Sequence, residues 1–215
     1  MTPVLSSAAV SRRVLLQGAG AVALAGCSNL IGPPPAPQIY VLRPAFAPVT
    51  AGPNVSWQLV IAVPTAPESL DTERIALERA PDTMDYYANS QWTDRAPVLM
   101  QSLLVEAFEK SRRIDAVGRE SAGIRPDYIL EADIRDFSAH YVVLDTAPKV
   151  QVSMGVKLVG ALRREVIGSG VFEDEAQAAA NNMASITAAF AQATGTTLSR
   201  IVTWTLQLRA SQLPR

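Results

Sequence analysis

The chain has 215 residues, 19 of them basic and 20 acidic, and 48% of its side chains are apolar. That length suits one domain with an ample core, and the near-balance of charge excludes a basic nucleic-acid footprint. A single cysteine, Cys27, excludes an internal disulfide, and it would need ligands from elsewhere in the chain to hold a metal.

Residues 1–26 read as an export signal. Arg12 and Arg13 are the only charged side chains before Cys27. Residues 14–25 then form an apolar run of signal-peptide length, too short to span a bilayer. Ser11-Arg12-Arg13-Val14-Leu15-Leu16 is similar to a twin-arginine signal, while a positive pair before an apolar run also meets the needs of ordinary secretory export. Leu24-Ala25-Gly26-Cys27 resembles the lipobox of bacterial lipoproteins. The resemblance implies cleavage before Cys27, a diacylglycerol on its sulfur and an acyl chain such as palmitate on the new amino group. Ser28 departs from the aspartate that resembles an inner-membrane retention signal, so the outer membrane is implied. Removing residues 1–26 keeps all 20 acidic and 17 of the 19 basic residues, a formal −3 (17 minus 20).

Residues 27–37 read as a lipidated, proline-rich tether. Pro33, Pro34, Pro35 and Pro37 prevent a helix and favour extended polyproline II. Ten such residues reach roughly 30 Å at about 3.1 Å each. Residues 38–208 are expected to form a single periplasmic domain, and residues 209–215 a tail.

Within that domain, residues 39–42 are a short strand candidate ended by Pro44. Trp57, Leu59, Ile61 and Val63 alternate with Gln58, Val60 and Ala62, which predicts a second strand. Residues 72–79 alternate weakly, Pro81-Asp82-Thr83 signals a turn, and residues 84–89 read as extended. Met100, Leu103, Leu104, Ala107 and Phe108 line one face of a helix over residues 94–113. Thr93 or Asp94 is its expected cap, and Pro97 is tolerated in its first turn. Residues 114–118 are a short strand candidate.

Tyr128, Leu130, Ala132 and Ile134 alternate with polar residues, as do Val150, Val152, Met154, Val156 and Leu158, so each predicts a strand with one wet face. Residues 165–172 are expected to pair back through a turn at Leu162-Arg163-Arg164, weakened or bulged at Gly168 and Gly170. Asn181 or Asn182 caps a final helix of about 37 Å with Met183, Ile186, Phe190, Ala193, Leu198, Ile201 and Val202 on one face. Gly195 is its weak point, where a kink is expected. The order predicts an α+β fold: a mixed, largely antiparallel sheet with two main helices packed on one face.

The motifs of catalysis are missing. His140 is the only histidine, so a His-based metal site would lack companions. A Ser-His-Asp set is formally available with Asp145, yet no G-x-S-x-G elbow is present. His140 therefore reads as a surface or strand-end residue. No phosphate-binding loop follows a strand. Glu173-Asp174-Glu175 lacks the spacing of a calcium loop and reads as a solvated run. Asp133 and Asp136, three apart on a strand, are expected on opposite faces. Tyr86, Tyr87 and Trp92 are candidates for partner contact, set against core and rim packing. The reading is non-enzymatic and names no cofactor, metal or nucleic acid.

Several ordered pieces carry a family resemblance: Tyr40-Val41-Leu42, Leu70-Asp71-Thr72-Glu73-Arg74-Ile75, residues 84–92, Asp127-Tyr128-Ile129-Leu130 before Ile134-Arg135-Asp136-Phe137, and a last helix ending near Ile201-Val202-Thr203-Trp204. After a lipobox, this set resembles the ABC-type transport auxiliary lipoproteins of the PqiC-like group over roughly residues 38–208. The resemblance implies a periplasmic, outer-membrane-anchored partner of an MCE-domain protein and its permease and ATPase, for phospholipid or other hydrophobic cargo. Self-association is a further expectation. Only Cys27 transfers as a functional residue. The competing readings are an envelope lipoprotein of structural or assembly role unrelated to transport, and an envelope hydrolase.

Overall fold

β6, Tyr128–His140, is the strand around which the sheet is built. In the computed structural model, residues 36–49, 54–80, 83–123, 125–143 and 145–210 are described. Of two compact units, 1–36 and 37–215, nearly all of these belong to the second. The signal, the lipobox with Cys27 and the tether up to residue 35 lie outside the described residues, as do the turn at Pro81-Asp82 and residues 211–215.

One edge of β6 is shared by two strands. β2, Val55–Ile61, runs parallel to its first residues, and β3, Arg74–Ala80, runs parallel to its last. Beyond β2 lies β5, Ile114–Arg119; beyond β3 lie β4, Thr83–Trp92, and then β1, Gln38–Tyr40. The other edge of β6 carries β7, Lys149–Gly160, and then β8, Val166–Gln177, in long antiparallel ladders. The sheet is therefore mixed, with its longest ladders antiparallel, and forks beside β6.

Both helices cover one face. α1, Ala96–Ser111, packs on β2 and β5; α2, Met183–Ala210, packs on β7 and β8 and against α1. Val150, Val152, Met154, Val156 and Leu158 of β7 meet Ile186, Phe190, Leu198 and Ile201 of α2, all nearly inaccessible. Alternation on the strand and a 3.6-residue period on the helix align these apolar sets. Gln101 is buried in α1, and its Nε2 donates to the Ile61 carbonyl at 2.9 Å, so α1 is pinned to β2 without an unpaired amide. No helix of the described residues is long and apolar enough to cross a membrane.

The structure corrects several local expectations. Neither Thr93 nor Asp94 caps α1: Arg95 is the N-cap without a side-chain cap, and Asp94 Oδ1 accepts from the Arg95 N–H instead. Asn182 does cap the last helix, its Oδ1 accepting from the Ser185 N–H at 2.9 Å. Gly195 does not interrupt α2, which runs continuously across it. A Cβ there would lie 2.3 Å from the Ala45 carbonyl oxygen, so the glycine admits a crossing backbone. Asp133 and Asp136 share the face opposite the helices, because the β6–β7 register shifts between Ile134 and Asp136. Leu130 and Ile134 point to the core before that bulge, and Phe137 and Ala139 after it.

Candidate functional site

The helix-free face of the sheet is polar and ordered. Asp133 Oδ2 accepts from Arg135 Nε at 2.8 Å, and Lys149 Nζ lies 2.9 Å from Glu175 Oε2. Gly155, opposite Asp133 in the ladder, leaves the space across which the first pair lies. A cavity of about 290 Å³ opens beside it, lined by Val63, Thr65, Glu131, Asp133 and Lys157.

At the end of β6 the bulge gathers Asp136, Ser138 and His140 on this face. Ser138 Oγ donates to Asp136 Oδ1 at 2.6 Å and lies 3.1 Å from His140 Nε2. The ring nitrogens of His140 each face a carboxylate: Nε2 lies 3.0 Å from Asp136 Oδ2, and Nδ1 lies 3.1 Å from Glu78 Oε2 on β3. The hydrogen bond to Asp136 raises the imidazole above its ordinary pKa; burial opposes this, and the charges of Asp136, Glu78 and Glu175 reinforce it. This is not a nucleophile triad. Ser138 is fully buried, and one carboxylate takes both the hydroxyl and the imidazole, so no substrate carbonyl reaches an activated oxygen. The order seen in sequence, one lone histidine at a strand end, was right; its partners were hidden because Glu78 is distant in the chain and the bulge alters the face of Asp136.

The three aromatic candidates occupy three environments. Trp92 is buried at 1% exposure, its ring packed on Phe137 and Phe190 at 5.6 and 5.2 Å, so it is core and no partner reaches it. Tyr86 is half-buried; its hydroxyl donates to the Ser69 carbonyl, and the Arg74 guanidinium lies 3.6 Å from its ring centre. Tyr87 turns the other way, with its hydroxyl 2.9 Å from that of Tyr141, which donates to Asn181 Oδ1. Burial, and then the bond to Tyr141, push the Tyr87 phenol far up.

A second concavity lies on the helix side and was not singled out by the sequence. It has a volume of about 390 Å³, between Ala45, Ala47 and Pro48 on one side and Phe172, Arg200 and Trp204 on the other. Phe172 and Trp204 stack edge to face at 5.5 Å. Arg200 Nη1 donates to the Glu173 carbonyl and to Asp174 Oδ2, each at 2.8 Å. The Ala47 N–H donates to Ser199 Oγ at 2.9 Å and holds the crossing segment in place. The only sequence signal for this groove was Gly195, which lines it and lets the segment approach.

The chain resembles known proteins at the level of sequence and fold. It is 29% identical over 188 residues to the uncharacterized protein bll6063 of Bradyrhizobium diazoefficiens, covering 85% of this chain but 49% of that protein, so it spans about half of that relative's length. The crystal structure of protein XCC0632 from Xanthomonas campestris is 31% identical, with a TM-score of 0.76 over 82% of this chain and 99% of that one. A crystal structure of another uncharacterized protein shares the fold at 14% identity, with a TM-score of 0.61 over 78% of this chain and 97% of that one. A family model spanning residues 40–202 matches the described domain from β1 into α2. The chain belongs to the ABC-type transport auxiliary lipoprotein component family.

Proposed function

We propose that this lipoprotein is held to the outer membrane through Cys27 and serves, on the periplasmic side, as the auxiliary component of an MCE-type ABC transport system for phospholipid or another hydrophobic cargo. The family match across residues 40–202 carries the reading. Leu24-Ala25-Gly26-Cys27, followed by Ser28 and a proline-rich segment, supports the anchor and its membrane. A domain whose polar groups are tied up in ion pairs on an ordered sheet suits docking better than turnover, because catalysis needs an accessible group with a matched pKa. Its role is to hold and position an assembly, with an MCE-domain protein and its permease and ATPase as partners. The test is affinity capture of the lipidated chain from detergent-extracted membranes. Recovery of the MCE-domain protein encoded beside it is the expected result; recovery of none of the permease, ATPase or MCE components would overturn the reading.

A further inference from the structure

The groove between the segment 45–48 and α2 is less polar than its residue names suggest. Ser199 Oγ donates to the Gly195 carbonyl at 2.6 Å and accepts from the Ala47 N–H. The Thr196 hydroxyl donates to the Gln192 carbonyl at 3.1 Å, and the Thr203 hydroxyl to the Ser199 carbonyl at 2.9 Å. All three hydroxyls are thus spent on backbone. Arg200 is the charged side chain of the lining, and its Nη1 meets Asp174 Oδ2 at 2.8 Å, so it brings its own counter-charge. What the walls leave open is ring and hydrocarbon: Phe172, Trp204, Ala45, Ala47 and Pro48.

A concavity of about 390 Å³ falls in the range of small-ligand sites, about 300–1,000 Å³. Its chemistry selects among ligands. A polar group pressed against these walls loses its water and finds the protein partners already taken. A hydrocarbon chain needs no partner and gains by leaving water. One polar side chain is unspent: Gln207 is exposed at the rim, and its amide makes no hydrogen bond among the described residues. We infer that the groove takes one acyl chain of a phospholipid, the chain lying against Phe172 and Trp204 while the Gln207 amide donates to an ester carbonyl at the rim and the headgroup stays in water.

Charge and hydrogen bonding separate this ligand from two others. A free fatty acid brings a carboxylate that needs a cation, and Arg200 is already neutralised by Asp174. An extended peptide brings amides that need partners, and the β8 carbonyl next to Phe172 in the chain, that of Glu173, already accepts from Arg200 at 2.8 Å. An ester lipid needs only the donor that Gln207 supplies. A lipid held here is cargo of the transport system proposed above, so the assignment rests on that reading. The two fail separately: labelling of the groove reports the lipid, and capture of the MCE-domain protein reports the system.

The test is photolabelling of the full-length chain in isolated membranes, loaded with a phosphatidylethanolamine whose acyl chain ends in a diazirine. In a bilayer that chain end sits near the mid-plane, so mere contact of the domain with the membrane surface does not label the groove. Mass spectrometry should find the label on peptides that contain Ala47, Phe172 or Trp204. Ala47→Glu sets a charge on one wall, and Thr196→Trp fills space from the other. Both positions are exposed, so the melting temperature should hold, and two variants on separate elements keep the test independent of the folding of either. Each should lower groove labelling about fivefold or more, since a desolvated charge or a filled space excludes the chain. A fatty acid carrying the same diazirine should label the groove less than the phospholipid at equal loading. An unlabelled groove in the wild type overturns the inference. So does labelling indifferent to both substitutions, or labelling by the fatty acid at least as strong as by the phospholipid.

Discussion

His140 Nδ1 lies 3.1 Å from Glu78 Oε2, and the two residues face each other in the short parallel ladder that joins β3 to β6. With Asp136 at the other ring nitrogen, the imidazolium is the form that satisfies both carboxylates. That ladder covers only Ala76–Glu78, so the ion pair closes the seam between the β3-β4-β1 wing and the rest of the sheet.

A pH dependence of stability follows. The folded-state pKa of His140 is raised above its ordinary 6.5, chiefly by the bond to Asp136. The stabilisation is therefore fully present below about pH 6.5 and is lost as the pH rises through the folded value. Thermal melts between pH 5.5 and 8.5 should show the wild type losing its advantage over His140→Ala as the pH rises. Glu78→Gln should reduce the effect, and Asp136→Asn should reduce it more. A constant difference between wild type and His140→Ala across that range would refute the coupling.

Two glycines make opposite predictions from similar crowding. Helix propensity alone says that Gly195→Ala should stabilise α2 by about 1 kcal/mol. The new methyl would meet the Ala45 carbonyl oxygen at 2.3 Å, and backbone cannot give way as a side chain does. Overpacking of about 1–3 kcal/mol wins. At roughly 2–4 °C per kcal/mol for a chain of this size, the melting temperature falls by several degrees. Gly155→Ala also clashes on paper, 2.5 Å from Asp133 Oδ1 and 2.6 Å from Arg135 Nη2, but both atoms end flexible, solvent-reaching side chains. Its cost should stay near 0.5 kcal/mol. Equal melting temperatures for the two variants would contradict the distinction.

The periodicities that reveal β7, α1 and α2 are long and regular, and each was legible because one face is buried continuously. β3 was faint because Ile75, Ala76 and Leu77 are all buried, which erases its alternation. The fork beside β6 and the parallel pairing of β1 on β4 depend on long-range register, which no local pattern encodes. The same applies to the His140 cluster: its composition was visible, but the bulge after Ile134 decides which carboxylate it meets.

Among the aromatic candidates the structure separates core from rim. Trp92→Ala should cost about 3–5 kcal/mol, since it opens the cluster with Phe137 and Phe190. Tyr86→Ala loses a half-exposed cation–π contact and one hydroxyl bond, about 1–2 kcal/mol in total. Chemical denaturation reads both. If Tyr86 also touches a partner, capture of the MCE-domain protein falls while the fold persists; unchanged capture by a folded Tyr86→Ala chain removes it as a contact.

The anchor is tested at residues 27 and 28. Cys27 follows Leu24-Ala25-Gly26 and is the sole cysteine, so no other thiol can substitute for it. One acyl chain gives only marginal membrane binding, whereas several together hold firmly, at about 0.8 kcal/mol per buried methylene. Cys27→Ser should therefore abolish the mass added by acylation and deprive the protein of the anchor that holds it in the membrane fraction after carbonate washing. An unmodified thiol in the wild-type protein would end the lipoprotein assignment for this residue. The membrane of residence depends on the next position. Ser28→Asp introduces the residue whose presence resembles inner-membrane retention, and density-gradient separation should show the protein moving from the outer-membrane to the inner-membrane fraction with its lipid mass unchanged. A wild-type protein already concentrated in the inner-membrane fraction would overturn the outer-membrane reading.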